Sequence, residues 1–563
     1  MSLMNHSESR QRLLTAPFLI LILFSAFLFF FKLGDRSFRN PDEGRYAKIA
    51  QEMVVSGNWM EPKIYGVDYL KKPPLFYWLT ALFFKLFGFN EWAGRSVPAL
   101  FGLAGVLTTY WFTRKILDPD SALFSGLILA SNLWYLEVGR YFVIDAVFSF
   151  FVVLSLYAFY LAQHASTHKM FYYVLFYMAV SGSILAKGIL GLILPGISIA
   201  LYLMWTKKMW VTLKEMKLLF GIVIFSVIAL PWFVIISIRN PDFLGVFFLH
   251  ENWSRFASSS FEHHEAWYFY LVLMPAILLP WPLFWRPLNL FFEASKPQDI
   301  YRDLKPFLFS TIAGIIFFLS LSKGKLLTYI LPTVPFISIT IGSAWVLWRK
   351  QFEKKVLKFT LSEIIPSIFL IFLGLTTIAT APKIIARFGQ ELPEGTAIYF
   401  QTMGGAILAG GIMTLRALRR RNIVHLFLAL IFTMTLFLLT LAPAMEKMNG
   451  DYTNKHFALS LKEKLKSGDR IFIYDHPGAL YDFGFYLNKP VTLVGLEGEL
   501  ELSRSNPKNS KVAIAHDEFR KLLKGREMIY CLARKSDFLG IDNEVRQNLK
   551  IVLEDKRKVL FST

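Results

Sequence analysis

Cysteine is almost absent from this chain. Among 563 residues there is one, Cys531, so no intramolecular disulfide can form and no cysteine-built zinc or redox centre can be assembled. Charge is also scarce: Asp, Glu, Lys and Arg make up 18% of the chain, thin for a soluble enzyme of this size. No Gly-rich phosphate loop and no nucleotide-sugar motif is present, which argues against nucleotide chemistry. No internal repeat is visible. The first apolar stretch, 13–33, lacks a small-residue cleavage site and exceeds a signal h-region in length, so it reads as a retained span that follows Arg10 and Arg12.

What is present is apolar surface. The chain is 54% hydrophobic and 16% aromatic, with a mean hydropathy of +0.43. Many runs are long enough to cross a bilayer. About thirteen spans are expected, near 13–33, 95–116, 121–136, 142–163, 171–187, 188–205, 218–238, 268–288, 306–321, 327–348, 358–380, 401–418 and 423–443. The net charge of +20 does not point to nucleic acid, because much of the excess sits in short loops between spans. Lys207, Lys208, Lys214 and Lys217 form one such loop, Arg349, Lys350, Lys354 and Lys355 another, and Arg416 with Arg419–Arg421 a third. That bias keeps loops cytoplasmic. With the N-terminus inside, loops 34–94, 137–141, 239–267, 322–326 and 381–400 and the tail fall outside. The expected architecture is an all-α polytopic membrane domain, 1–443, followed by a small soluble α/β domain, 444–563.

Loop 34–94 is too apolar to be simply solvated. Residues 42–55 repeat Tyr46, Ile49, Ala50, Met53 and Val54 at helical spacing, and 75–88 is rich in Leu, Phe, Tyr and Trp but too short to span. Both read as helices lying in the outer interface. In the tail, strands are expected at 470–474, 491–494, 511–515 and 528–532, with helices at 457–465 and 517–523. Asp475 and His476 end a strand, where α/β sites occur, though a solvated turn also accounts for them.

Ionisable groups beside membrane spans are functional candidates by default. The first outer loop carries N-P-D-E-G-R-Y at 40–46 and K-K-P-P at 71–74. The same topology brings Asp42, Glu43, Arg45, Lys71, Lys72, Arg140, Asp145, Lys187, His250, Glu251, Arg255, His263, His264, Glu265, Lys323, Lys325 and Tyr329 to one membrane face. Lysine as a point charge and arginine as a fork suit a phosphate-bearing ligand, and the carboxylates suit a base or a holder of those cations. Asp42 equally suits a helix N-cap. Asp145 sits in Y-F-V-I-D-A-V-F, where an acid has no evident structural use. The turn 322–325, with Lys323 and Lys325, also reads as a plain tight turn.

The ordered motifs P-D-E-G-R-Y-A (41–47), K-P-P (72–74), R-Y-F-V-I-D (140–145), A-K-G (186–188), H-E-N-W-S-R-F (250–256) and S-K-G-K-L-L-T-Y-I-L-P (322–332) resemble the C-type (GT-C) glycosyltransferases that use polyprenyl-phosphate sugars. The resemblance is nearest to the lipid A aminoarabinose transferases and extends to the protein O-mannosyltransferases. It implies an inner-membrane enzyme that takes a sugar from an undecaprenyl-phosphate-linked donor at the periplasmic face. The acceptor it implies is lipid A or another envelope glycan or protein. It implies Asp42 as the key carboxylate with Glu43 and Arg45 beside it, donor-phosphate contacts from Lys72, Arg255 and Tyr329, and Asp145 and Lys187 completing the pocket. Lys323 and Lys325 are further cations for that phosphate. It also implies a structural divalent metal, zinc, at His250. The second ligand would be a Glu just before the K-P motif, but that position here is Lys71, which cannot ligate. Glu251, His263 and His264 are the remaining substitutes. A transporter would instead carry polar groups at the bilayer midplane within repeated halves.

Overall fold

The computed structural model describes residues 16–247, 251, 265–293, 301–354, 360–388, 395–447, 449–475, 477–495, 500, 512–525 and 527–563. Of the expected site residues, His250, Arg255, His263 and His264 lie outside these, as does His476 of the tail.

Among the described residues, seven helices are long and apolar enough to cross a bilayer, and two bent helix pairs raise that to nine if each is one span. Glu91–Ile116 adds 26 residues with charges at both ends. Ala16–Phe30, Leu75–Phe87 and Leu190–Thr206 are shorter apolar helices. Three expected spans are not straight: 218–238 is Leu218–Ile228 followed by Leu230–Arg239 at a 48° bend, and two others break as follows. The 121–136 region is Pro119–Ala130 followed by Leu133–Arg140 at a 60° bend, and Asn132 caps the second piece by accepting from the Tyr135 N–H. The 268–288 region breaks into Phe269–Ile277, a 3-10 turn at Trp281–Leu283, and Arg286–Glu293. Prolines at 275, 280, 282 and 287 account for the break, since each removes a donor and clashes with the preceding turn.

The motif helix runs Asp42–Ser56 and buries the expected Tyr46, Ile49, Ala50 and Met53, but it is buried all round from Glu43 to Gln51 rather than on one face, since the tail packs on it as well. Asp42 and Glu43 in its first turn complement the helix dipole. Gly57, at φ +71°, ends the helix in the left-handed region that favours glycine. Asp42 is not the cap: that position is Pro41, with no side-chain cap bond, because the Asp42 carboxylate turns to Arg45. A two-stranded hairpin, β1 (Lys63–Ile64) and β2 (Val67–Asp68), follows and was not evident in the sequence. Leu75–Phe87 has 13 residues, about 20 Å of helix and short of a bilayer core.

The tail forms a six-stranded sheet in the order β5 (Ala513–Ile514), β4 (Thr492–Val494), β3 (Arg470–Tyr474), β6 (Ile529–Arg534), β8 (Lys558–Ser562), β7 (Lys550–Glu554). Strands β5, β4, β3 and β6 are parallel, and β7–β8 is an antiparallel hairpin on the edge. The domain docks on the motif helix through the short helix Tyr481–Leu487. At the crossing a Cβ on Gly44 would lie 2.9 Å from the Asp482 nitrogen, so the motif glycine is the residue that lets the two helices touch.

Candidate active site

The first turn of the motif helix sends neighbouring acids in different directions. Glu43 is fully buried. Its Oε1 accepts from Arg95 Nε at 2.9 Å and from the Phe142 N–H at 2.9 Å. Its Oε2 accepts from Arg95 Nη2 at 2.8 Å and from the Arg39 N–H at 2.9 Å. Arg36 approaches at 3.6 Å. Burial pushes this carboxyl up, but the Arg95 and Arg36 guanidiniums outweigh it and hold it at about 2. Glu43 therefore anchors the helix, with both oxygens occupied. Asp42 is different: its side chain is 45% exposed, and its Oδ1 accepts from Arg45 Nη2 at 2.5 Å. The Arg45 guanidinium in turn lies over the rings of Tyr46, at 5.2 Å, and Tyr69, at 5.8 Å.

A second cluster joins the ends of two bundle helices. Asp145 begins Asp145–His164, and Lys187 ends Lys169–Lys187. Lys187 Nζ donates to Asp145 Oδ1 at 2.5 Å, with both side chains nearly buried. An acid at a helix start and a cation at a helix end both suit the dipoles. The same ammonium sits 4.1 Å from the centre of the Tyr329 ring. Burial pushes the Tyr46 phenol up, and the neighbouring Arg45 guanidinium opposes the rise.

Lys72 and Lys71 share one counter-ion, Glu251, at 3.7 and 3.5 Å. Lys325 is buried and turned into its own loop, where Nζ donates to the Glu265 carbonyl at 2.9 Å and to the Ser322 carbonyl. Lys323 is exposed, and its carbonyl accepts from the Glu265 N–H. Arg140 is occupied at the carboxyl end of Ala16–Phe30, where it donates to the Leu28 carbonyl and, at 2.8 Å, to the Phe31 carbonyl. Glu43, Lys325 and Arg140 are thus held in local structure, Lys187 and Asp145 in a nearly buried ion pair and Lys72 on Glu251, while Asp42 keeps nearly half of its side chain exposed beside Arg45.

No group of three or more His, Cys, Asp or Glu suited to a metal occurs among the described residues. Glu251, one of the substitutes for the missing ligand, faces two ammonium groups, and cations in that position repel a divalent ion. The other candidate ligands, His250, His263 and His264, lie outside the described residues. At the tail, Asp475 pairs with His516 at 2.6 Å across the strand ends, a partner the sequence did not indicate. Arg95 and Arg36 were also missed. Arg95 lies in the first turns of an apolar helix yet is 1% exposed, and a buried arginine there demanded a carboxylate that its sequence neighbours could not reveal.

Beside Lys187 lies an apolar groove of about 480 Å³. Ile184, Ile189, Leu192, Phe233, Val234 and Phe247 are among the residues lining it. Gly188, at φ +79°, brings the chain against Phe247, where a Cβ would lie 2.6 Å from the ring.

Residues 71–235 match the family model described as dolichyl-phosphate-mannose-protein mannosyltransferase. An undecaprenyl phosphate-alpha-4-amino-4-deoxy-L-arabinose arabinosyl transferase of Pseudomonas paraeruginosa is 29% identical over 517 residues, 90% of each chain. One of the same name from Pseudomonas savastanoi pv. phaseolicola is 32% identical over 350 residues, 60% of this chain and 63% of the other. The crystal structure of ArnT from Cupriavidus metallidurans bound to undecaprenyl phosphate superposes with a TM-score of 0.79 at 23% identity, covering 97% of each chain. Its apo state gives 0.81. The fold class and the family resemblance read from the sequence are borne out by these likenesses.

Proposed function

We infer that this chain is an integral-membrane GT-C glycosyltransferase that moves 4-amino-4-deoxy-L-arabinose from undecaprenyl phosphate to a lipid A phosphate at the periplasmic face. The N-terminus is then cytoplasmic and the tail domain periplasmic. The observation that carries this reading is three sets of polar contacts, Asp42–Arg45, Lys72–Glu251 and Asp145–Lys187–Tyr329, together with an apolar groove, in a chain that matches aminoarabinose transferases over nine-tenths of its length.

The chemistry follows from the placement of charge. The donor phosphate binds between Lys72 and Lys187, and its polyprenyl tail lies in the groove lined by Phe233 and Phe247, each buried methylene contributing about 0.8 kcal/mol. The acceptor phosphate, whose second pKa is about 6, is mostly ionised at neutral pH and needs no strong base. It attacks the anomeric carbon, the bond from that carbon to the donor phosphate oxygen breaks, and the electron pair leaves with undecaprenyl phosphate. Lys72 and Lys187 stabilise the charge that grows on the leaving phosphate, a preorganised effect of a few kcal/mol per contact. Asp42 holds Arg45 toward the reacting centre, and Asp145 holds Lys187.

A second reading has its own support in the family model over 71–235. With a protein Ser or Thr hydroxyl as acceptor and a mannosyl donor, Asp42 becomes the general base. Purified protein in nanodiscs, given undecaprenyl phosphate bearing either sugar together with lipid A or a Ser/Thr peptide, separates the two. Mass addition of aminoarabinose to lipid A supports the first reading. Mannose on the peptide replaces it with the second.

A further inference from the structure

The soluble domain places one wholly buried carboxylate against the catalytic loop. Asp482 is 0% exposed and lies 442 residues from Asn40 in the chain. Its Oδ1 accepts from Asn40 Nδ2 at 2.5 Å and from Asn454 Nδ2 at 2.6 Å. Its Oδ2 accepts from the Thr453 hydroxyl and from the Asn454 N–H, both at 2.8 Å. Its own backbone N–H returns a bond to Asn40 Oδ1 at 3.2 Å. The Asn40 N–H donates to the Tyr452 carbonyl at 2.9 Å, so both the backbone and the side chain of Asn40 are held by the tail.

A carboxylate buried among neutral donors is costly unless every oxygen is satisfied. Here the satisfying groups include the residue that precedes Pro41 and Asp42. Proline fixes its own φ, which leaves little slack between Asn40 and the first helical turn. Gly44 closes the same contact from inside the helix, since a Cβ there would lie 2.3 Å from Asn40 Oδ1. Farther along, Gln51 donates to the Phe485 carbonyl at 3.1 Å, and the Tyr65 hydroxyl donates to the Tyr481 carbonyl at 2.9 Å. The motif helix is therefore fastened to the tail at its start, at its crossing and toward its end.

We propose that Asp482 is a positioning residue for the transfer reaction: through Asn40 it fixes the first turn of the motif helix, which aims Asp42 and Arg45, and so makes the soluble domain a working part of the site. This rests on the functional reading above. The proposal separates binding from turnover, because Lys72 and Lys187, which hold the donor phosphate, stand on other elements.

The test uses the full chain in nanodiscs, as wild type, Asp482→Asn, Asn40→Ala and Asp475→Asn. The last alters the Asp475–His516 pair elsewhere in the same domain. In the Asp482 and Asn40 variants, kcat falls about 10- to 100-fold, the cost of misplacing a reacting group by about an ångström. Affinity for undecaprenyl phosphate stays within about twofold, since its cations are untouched. Amide exchange at 42–46 quickens in both variants while the bundle helices keep their protection. Asp475→Asn leaves kcat and the exchange at 42–46 as in wild type. Unchanged kcat and unchanged exchange in Asp482→Asn would overturn the proposal, as would an equal response to Asp475→Asn. If wild type transfers no sugar to any acceptor, the functional reading fails on its own. Exchange at 42–46 then still decides whether Asp482 governs the helix start.

Discussion

Glu43 and Asp42 are adjacent acids with opposite surroundings, and the difference sets what each can do. Glu43 meets Arg95 in a two-pronged contact and is closed to solvent, whereas Asp42 keeps nearly half of its side chain exposed beside Arg45. Because the folded pKa of Glu43 lies below the ordinary carboxylate value, this residue stabilises the fold above a pH of about 4.3 and loses that contribution as pH falls toward 2, about 3 kcal/mol in all. Thermal unfolding in detergent should show this loss for wild type and not for Glu43→Gln, which starts less stable at pH 7 because Arg95 is left buried without its anion. The Asp145–Lys187 pair obeys the same logic. Lys187→Met or Asp145→Ala alone strands a buried charge and should cost about 3–5 kcal/mol, while the double substitution recovers part of it. Sequence made the acids and lysines visible as residues out of place in an apolar chain. It did not distinguish Asp42 from Glu43, because the partner that separates them, Arg95, comes from a different helix.

At the level of elements, periodicity carried the motif helix and most bundle helices, since a buried stripe at helical spacing is a local property of the chain. It failed where prolines cluster, at 268–288, and where a strand is short or rich in lysine. Strands β7 and β8 are joined by D-K-R at 555–557, and the charges there hid an edge hairpin in which β8 pairs with β6. Helix Tyr481–Leu487 has seven residues and too little length for a periodic signal, although it is the tail helix that packs on the motif helix. One element-scale prediction concerns the turn after Lys187. Gly188→Ala demands a left-handed φ of +79° from a residue with a Cβ and drives that atom into Phe247. It should lower both thermal stability and undecaprenyl phosphate affinity, because the turn sets Lys187 against Tyr329 and the groove against both. An affinity equal to that of wild type would separate the groove from the phosphate site.

Across the whole molecule, polar residues from distant segments lie at the ends of apolar helices, and the tail domain packs on the motif helix that carries two of them. Alternating basic and poorly charged loops led to the expectation of a shared side for these residues, because topology alone assigns each loop to a side. Side-chain pairing across hundreds of residues was not legible: Asn40 with Asp482, Lys72 with Glu251 and Glu91 with Lys455 depend on packing that no local pattern encodes. If these residues hold a lipid-linked phosphate, their lysines must carry the binding. That requirement is checked by the affinity of undecaprenyl phosphate for nanodisc-embedded wild type, Lys72→Ala, Lys187→Ala and Lys323→Ala. Loss of either Lys72 or Lys187, each a charge-assisted contact of about 1.5–3 kcal/mol, is expected to weaken binding roughly 10- to 150-fold, while loss of the exposed Lys323 changes it little. Binding that survives both Lys72→Ala and Lys187→Ala would contradict a phosphate site at these lysines.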